Sequence, residues 1–201
     1  GRRLGKKRIY NYVKNFGLTQ KTGVDLPGES CGIMFDYKNF HELEQATVAF
    51  GQGISVTPLQ LVSAISACVN GGYLLQPHIL KEVRNNNNEI IYQAKRKVKR
   101  QVIKEETAKK VRDALESVVT DGGGRNAYID GYRIGGKTGT AQKAVNGSYV
   151  GGGYILSFVG IAPIDDPQIV LYIAMDNPKN CIQYGGTTVA PIARKMFLDI
   201  L

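Results

Sequence analysis

Gly131-Tyr132-Arg133-Ile134-Gly135-Gly136-Lys137-Thr138-Gly139-Thr140-Ala141-Gln142 can be folded in two ways, and the choice between them sets the fold class. Counted from Gly131, the run satisfies G-x-x-x-x-G-K-T, the pattern of a loop that wraps phosphate. Ile169 to Asp176 supplies an apolar strand ending in Asp, as needed to hold Mg²⁺ in a nucleotide hydrolase. A phosphate loop, however, follows a buried strand and opens a helix whose N-terminal amides receive the phosphates. Asn126 to Asp130 is too short and polar for that strand, and Gly139, Asn146, Gly147 and Gly151 to Gly153 follow without a helical stripe. The other reading is an extended strand facing a cleft. Gly135, Gly136 and Gly139 then clear space for a second backbone, as when a peptide pairs along a strand edge. Alternation sends Lys137 and Gly139 to one face and Thr138 and Thr140 to the other, and strand twist lets several of them reach one cleft. An ammonium there favours a carboxylate and a serine losing its proton, hydroxyls donate to the carboxylate, and a backbone N–H can hold an oxyanion. An ordinary Gly-rich edge strand is the plain counterpart.

The flanks favour the strand. Arg133 to Gln142, Tyr154 to Ala162 and Gln168 to Met175 are β-rich runs joined by short glycine or proline links, which predicts an antiparallel meander without crossover helices. Val189, Ile192, Ala193, Met196, Phe197 and Ile200 recur at helical spacing and predict a helix lying on that sheet. Upstream, Leu4, Ile9, Tyr12, Val13 and Phe16 predict a helix stopped by Gly17. Thr57 and Pro58 open a second helix with the stripe Leu61, Val62, Ile65, Cys68 and Val69, ended by Gly71 and Gly72. Lys104 to Thr120 is a third. Thr19 to Gly53 reads as a long irregular segment, functional or packed against neighbours. Tyr73 to Val83 and Glu89 to Gln93 read as strands around the turn at Asn85 to Asn88. Lys95 to Arg100, with five cations in six positions, reads as a solvated ribbon in preference to an anion site. The expected class is therefore α+β, an antiparallel sheet packed with helices.

Composition narrows the function. The 201 residues, 43% hydrophobic and 21% charged, suit a globular domain and exclude wholesale disorder. The longest apolar stretches fall far short of the ~20 residues of a membrane span. The start, Gly1 to Arg8, has neither an initiating Met nor a signal-peptide core, so the chain reads as cut from something longer. A net charge of +9 favours anionic surroundings such as nucleic acid, an anionic membrane face or a cell wall. Cys31, Cys68 and Cys181 are odd in number, widely spaced and without a C-x-x-C pair, which points to free thiols, with Cys68 as a small core hydrophobe. With His41 and His78 isolated, no metal is expected.

Lys137-Thr138-Gly139-Thr140-Ala141-Gln142 resembles the third active-site motif of penicillin-binding proteins, which share the serine β-lactamase fold. Ala49 to Ile54, Thr57 to Gln60, Gly71 to Pro77, Phe158 to Gly160, and Tyr184 to Thr187 through Ala190-Pro191 resemble, in order, class B transpeptidases of the septal or sporulation kind. The resemblance implies a D,D-transpeptidase. An active serine attacks the penultimate D-Ala of a peptidoglycan stem peptide ending in D-Ala-D-Ala, releases the terminal D-Ala and passes the acyl group to an amine. β-Lactams would trap the acyl-enzyme. It further implies Lys137 and Thr140 as catalytic groups, with the Thr140 N–H as an oxyanion donor. Thr138, Gly139, Thr140 and Gln142 would bind substrate, and Tyr184 to Thr187 would shape the rim. No cofactor and no nucleic-acid partner are implied. The protein would work outside the cytoplasm, anchored in the membrane by a segment beyond this chain, within reach of other wall-synthesis proteins. One feature departs from the family: none of Ser30, Ser55, Ser63, Ser66, Ser117, Ser148 or Ser157 has Lys three positions on, and S-x-N is absent. The resemblance therefore makes residues 1–201 the C-terminal portion of one transpeptidase domain, its serine-bearing half lying upstream and itself a partner. A β-lactamase or β-lactam sensor is the rival on the same scaffold. A nucleotide-binding ATPase and a catalytically silent wall-binding module are the rivals from other classes.

Overall fold

The computed structural model describes residues 1–145, 149 and 153–201. They form two compact units, Gly1–Glu105 and Glu106–Leu201.

In the first unit, α1 (Gly5–Asn15) ends as its sequence predicts. Gly17 takes φ +78°, its N–H reaches the Lys14 carbonyl, and the Leu18 N–H reaches the Val13 carbonyl at 3.2 Å. This paired closure needs a residue free to adopt positive φ. The segment 19–53 is less irregular than expected, for it contains α2 (Glu42–Val48), opened by a reciprocal cap in which the His41 N–H donates to Glu44 at 2.8 Å. In α3 (Pro58–Val69) the same device joins Thr57 and Gln60: the Gln60 N–H donates to the Thr57 hydroxyl at 3.2 Å, and the Thr57 N–H to Gln60 Oε1 at 2.9 Å. Gln60 is 1% exposed, and its Nε2 donates onward to the Gln20 carbonyl at 2.7 Å, so one buried amide both caps α3 and pins the long segment. Asp25 pins it again, accepting from the Ile79 and Leu80 N–H groups.

The run expected as one strand from Tyr73 to Val83 divides into β1 (Tyr73–Leu75) and β2 (Glu82–Arg84). The break spans Pro77, which has no N–H to give a ladder, and the two amides taken up by Asp25. β2 pairs antiparallel with β3 (Ile90–Gln93), and β1 with β4 (Val98–Gln101). The charged ribbon thus ends in a true strand, which its run of cations concealed.

In the second unit, α4 (Glu105–Thr120) precedes a meander of β5 (Gly135–Gln142), β6 (Tyr154–Ala162) and β7 (Ile169–Asp176), in the order β5-β6-β7 and antiparallel throughout. The residues at 146–148 and 150–152, some of which entered the reading against a phosphate loop, lie outside the described residues. One face of the sheet, with Gly160, Phe158 and Leu156 at its centre, is covered by α6 (Ala190–Ile200). A Cβ on Gly160 would lie 2.5 Å from the Phe197 ring, so this glycine is the notch that receives the helix's largest buried side chain. The helix buries a narrower face than its spacing predicts: Ala190, Ala193 and Phe197 are buried, while Ile192, Met196 and Ile200 stay exposed.

Arg133, just ahead of β5, grips Glu116 of α4 in a two-pronged pair at 2.8 and 2.7 Å, with Asp165 at 3.8 Å. The hydrogen bond from Arg133 holds the Glu116 carboxyl below its ordinary value of 4.5. A depressed carboxyl stabilises the fold above its unfolded value, and that contribution disappears as pH falls through the lower folded value. The urea midpoint is therefore expected to fall between about pH 6 and pH 3. Glu116→Gln should lower the midpoint at neutral pH and flatten the acid loss, checked by urea titrations across that range.

Candidate functional site

The site grows from β5, an edge strand with β6 as its one partner among the described residues. Lys137 stands opposite Val159, Thr138 opposite Phe158, Gly139 opposite Ser157 and Thr140 opposite Leu156. Residues directly opposite share a face. Thr138 and Thr140 therefore project on the α6 side, and Lys137 and Gly139 on the other, as the alternation predicts. Lys137 and Thr140 are exposed, and Thr138 and Gly139 half-buried. Gln142, also exposed, closes the strand opposite Tyr154.

Above Thr140 sits α5 (Gly185–Thr188), a single turn. The Gly185 N–H donates to the Thr140 hydroxyl oxygen at 3.3 Å. Because that oxygen accepts, the Thr140 O–H proton stays available to a ligand. The Thr138 hydroxyl has no hydrogen-bond partner among the described residues. The Lys137 ammonium donates to the neighbouring Thr138 carbonyl at 2.7 Å.

The glycines serve a different end from the one expected. A Cβ on Gly135 would strike Ile164 and one on Gly136 the Phe158 ring, while one on Gly139 would meet the Ser157 hydroxyl. Each space is taken from within the unit. Gly185 and Gly186 do the same for α5: a Cβ on Gly185 would lie 2.5 Å from the Gly139 carbonyl oxygen and 2.6 Å from that of Ser157, and one on Gly186 would strike the Gly123 carbonyl. Asn126 completes the seat by donating to the Gly186 carbonyl at 2.9 Å. Gly123, Asn126 and Ser157 escaped the sequence reading as site-building residues. The signal that could have found them is two glycine runs, 122–124 and 185–186, each longer than a turn requires.

The phosphate-loop reading ends here. Lys137 lies in mid-strand, the next element is an antiparallel strand, and Asp176 is paired with Lys143 at 2.5 Å. Among the described residues no group of three or more His, Cys, Asp and Glu is placed to hold a metal ion. No helix there is long and apolar enough to cross a membrane. The three cysteines are free, and burial pushes the Cys68 thiol up to about 11, which keeps it protonated and inert.

The penicillin-binding protein transpeptidase domain model matches residues 1–198. The chain belongs to that family. Stage V sporulation protein D of Bacillus subtilis is 53% identical over 202 residues, covering 100% of this chain and 31% of its own length. The probable peptidoglycan D,D-transpeptidase PenA of Neisseria meningitidis is 33% identical over 195 residues, covering 96% and 32%. Penicillin-binding protein 3 of Mycobacterium tuberculosis, solved alone and with aztreonam or ampicillin, superposes with a TM-score of 0.89 at 33% identity, over 98% of this chain and 46% of that one. This transpeptidase-family chain thus spans about a third of the length of these curated relatives.

In this family member the tightest test of the site is Gly185→Ala. Its methyl group meets two backbone carbonyls that cannot swing aside, so the substitution should cost about 1–3 kcal/mol. It should also free the Thr140 hydroxyl from its donor. Urea denaturation gives the first quantity, and faster exchange of the Gly185 amide reports the second.

Proposed function

We propose that the chain is the C-terminal portion of a peptidoglycan D,D-transpeptidase domain and supplies the wall of the site carried by β5, while the nucleophilic serine comes from a segment outside residues 1–201. The observation that carries this reading is the open edge of β5, with Lys137, Thr138 and Thr140 displayed along it, in a chain of this family.

An extended peptide ending in D-Ala-D-Ala lies along that edge as an added strand. The Thr138 and Thr140 hydroxyls donate to its terminal carboxylate, and the Lys137 ammonium adds positive potential. Strand period puts the Thr140 N–H on the same edge as the Thr138 carbonyl that Lys137 marks, where it receives the oxyanion formed at the penultimate carbonyl. The serine oxygen bonds to that carbonyl carbon and its proton is relayed by way of Lys137 to the departing nitrogen. The amide bond breaks, terminal D-Ala leaves, and an amine then takes the acyl group and restores the serine. Gly139 keeps the strand flat beneath the peptide, and Gln142 bounds it. A β-lactam presents the same carboxylate and carbonyl and stays attached. The relatives named as peptidoglycan D,D-transpeptidases support a parent protein that acts outside the cytoplasm, anchored by a segment outside this chain and within reach of other wall-synthesis proteins.

The parent protein is expected to form a covalent adduct with a fluorescent penicillin, and Lys137→Ala to slow acylation by about 10²-fold or more. Residues 1–201 alone are expected to give none. Stopped-flow labelling with peptide mapping decides it. An adduct on any serine of this chain contradicts the division of labour. A parent that binds wall material but never acylates is a silent binding module.

A further inference from the structure

The positive charge is concentrated in one unit. Gly1–Glu105 holds 16 Lys and Arg against 8 Asp and Glu, whereas Glu106–Leu201 holds 10 against 9. Five of the first unit's cations, Lys95, Arg96, Lys97, Lys99 and Arg100, lead into and along β4. The stretch 95–99 is exposed, and β4 pairs with β1 alone, leaving its other edge open among the described residues. None of the five is paired with a carboxylate within 4.0 Å among the described residues. Lys99 finds the Lys21 carbonyl at 3.4 Å, and Arg100 Nη2 the Gln20 side chain at 3.5 Å. Glu29, the acid whose field Lys99 feels, is engaged by Thr22 and Gly23. Burial, with repulsion from Arg100 and Lys97, holds Lys99 below the usual lysine range. Protecting a strand edge accounts for a lysine. It does not account for five unneutralised cations whose mutual repulsion an outside anion would relieve.

We propose that the ribbon at 95–100 binds a linear phosphodiester-linked polyol polymer along the open edge of β4. The claim stands apart from the transpeptidase reading. Within β4 alternation sends Lys99 and Arg100 to opposite faces, and Lys95 to Lys97 lead into the strand, the Lys97 carbonyl accepting from the Gln76 N–H at 2.9 Å. That makes a line of charge suited to a thread rather than a plane suited to a bilayer. No aromatic lies among the six positions, and the nearby Tyr73 ring is taken by the Arg96 guanidinium at 5.7 Å, so the ribbon offers no free stacking platform of the kind with which proteins hold single-stranded nucleic acid.

The test is fluorescence anisotropy of the full 201-residue chain with labelled poly(glycerol phosphate) at about 50 and about 200 mM salt. Lys95→Gln/Arg96→Gln/Lys97→Gln, which precedes β4 and spares its ladder, should weaken binding about tenfold or more and lower the logarithmic salt slope by about two to three. Lys99→Gln alone should weaken it by a smaller factor. Arg2→Gln/Arg3→Gln/Lys6→Gln removes the same charge from the first residues and α1 and should leave affinity within about twofold. Absence of binding by the unaltered chain overturns the proposal. So does an equal loss from both triple variants, which reduces the effect to net charge. Tighter binding to phosphatidylglycerol vesicles or to single-stranded DNA through the same residues assigns the ribbon to a membrane or to nucleic acid instead.

Discussion

The contact on which the second unit's site depends is backbone against backbone: the Gly185-Gly186 turn lies directly on the carbonyls of Gly139, Ser157 and Gly123. A side chain at Gly185 or Gly186 would hold the turn off. With it seated, the Gly185 N–H reaches Thr140 and fixes a hydroxyl that has no other anchor among the described residues. The sheet beneath is rigid because its opposite strand positions, Phe158 and Leu156, are fully buried against α6. A polar edge is thus displayed on an apolar slab, with packing supplied from one face and chemistry carried at the rim. Arg133 and Glu116 act at the strand's entry, so β5 is held at both ends while its middle keeps an open edge.

Much of this was legible in the residues. The three-strand meander, its final helix, and the helices at Pro58–Val69 and Glu105–Thr120 each rest on a period or a cap that the chain states locally. The placement of Lys137, Thr138, Gly139 and Thr140 on a strand, against a good match to a phosphate loop, followed from asking what stood before and after the motif. What escaped has physical reasons. α2 is seven residues long and capped by His41, a residue that seldom plays this part, so neither length nor cap signalled it. β4 was hidden because strand patterning is read from apolar alternation and here the positions are cationic. The buried face of α6 is narrower than its apolar stripe because spacing shows which residues could pack and not which are covered, and Ile192, Met196 and Ile200 are left exposed.

The glycines of the K-T-G region carry a broader lesson. A glycine on a strand facing a cleft suggests room for a ligand, yet Gly135, Gly136 and Gly139 are each filled by a side chain of the same unit. In the proposed reading, room for the peptide comes instead from the edge of β5 left without a strand partner among the described residues, which a glycine count does not reveal. Family membership and edge geometry support the same reading from independent directions: one from residues spread over 1–198, the other from an eight-residue strand.

A crystal structure of the complete parent domain acylated by ampicillin tests the central claim most directly. The account predicts the drug's carboxylate within about 3 Å of both the Thr138 and Thr140 hydroxyls, its carbonyl oxygen on the Thr140 N–H, and the acyl bond to a serine outside residues 1–201. A drug bound away from the β5 edge, or that edge covered by another strand of the same protein, would contradict it.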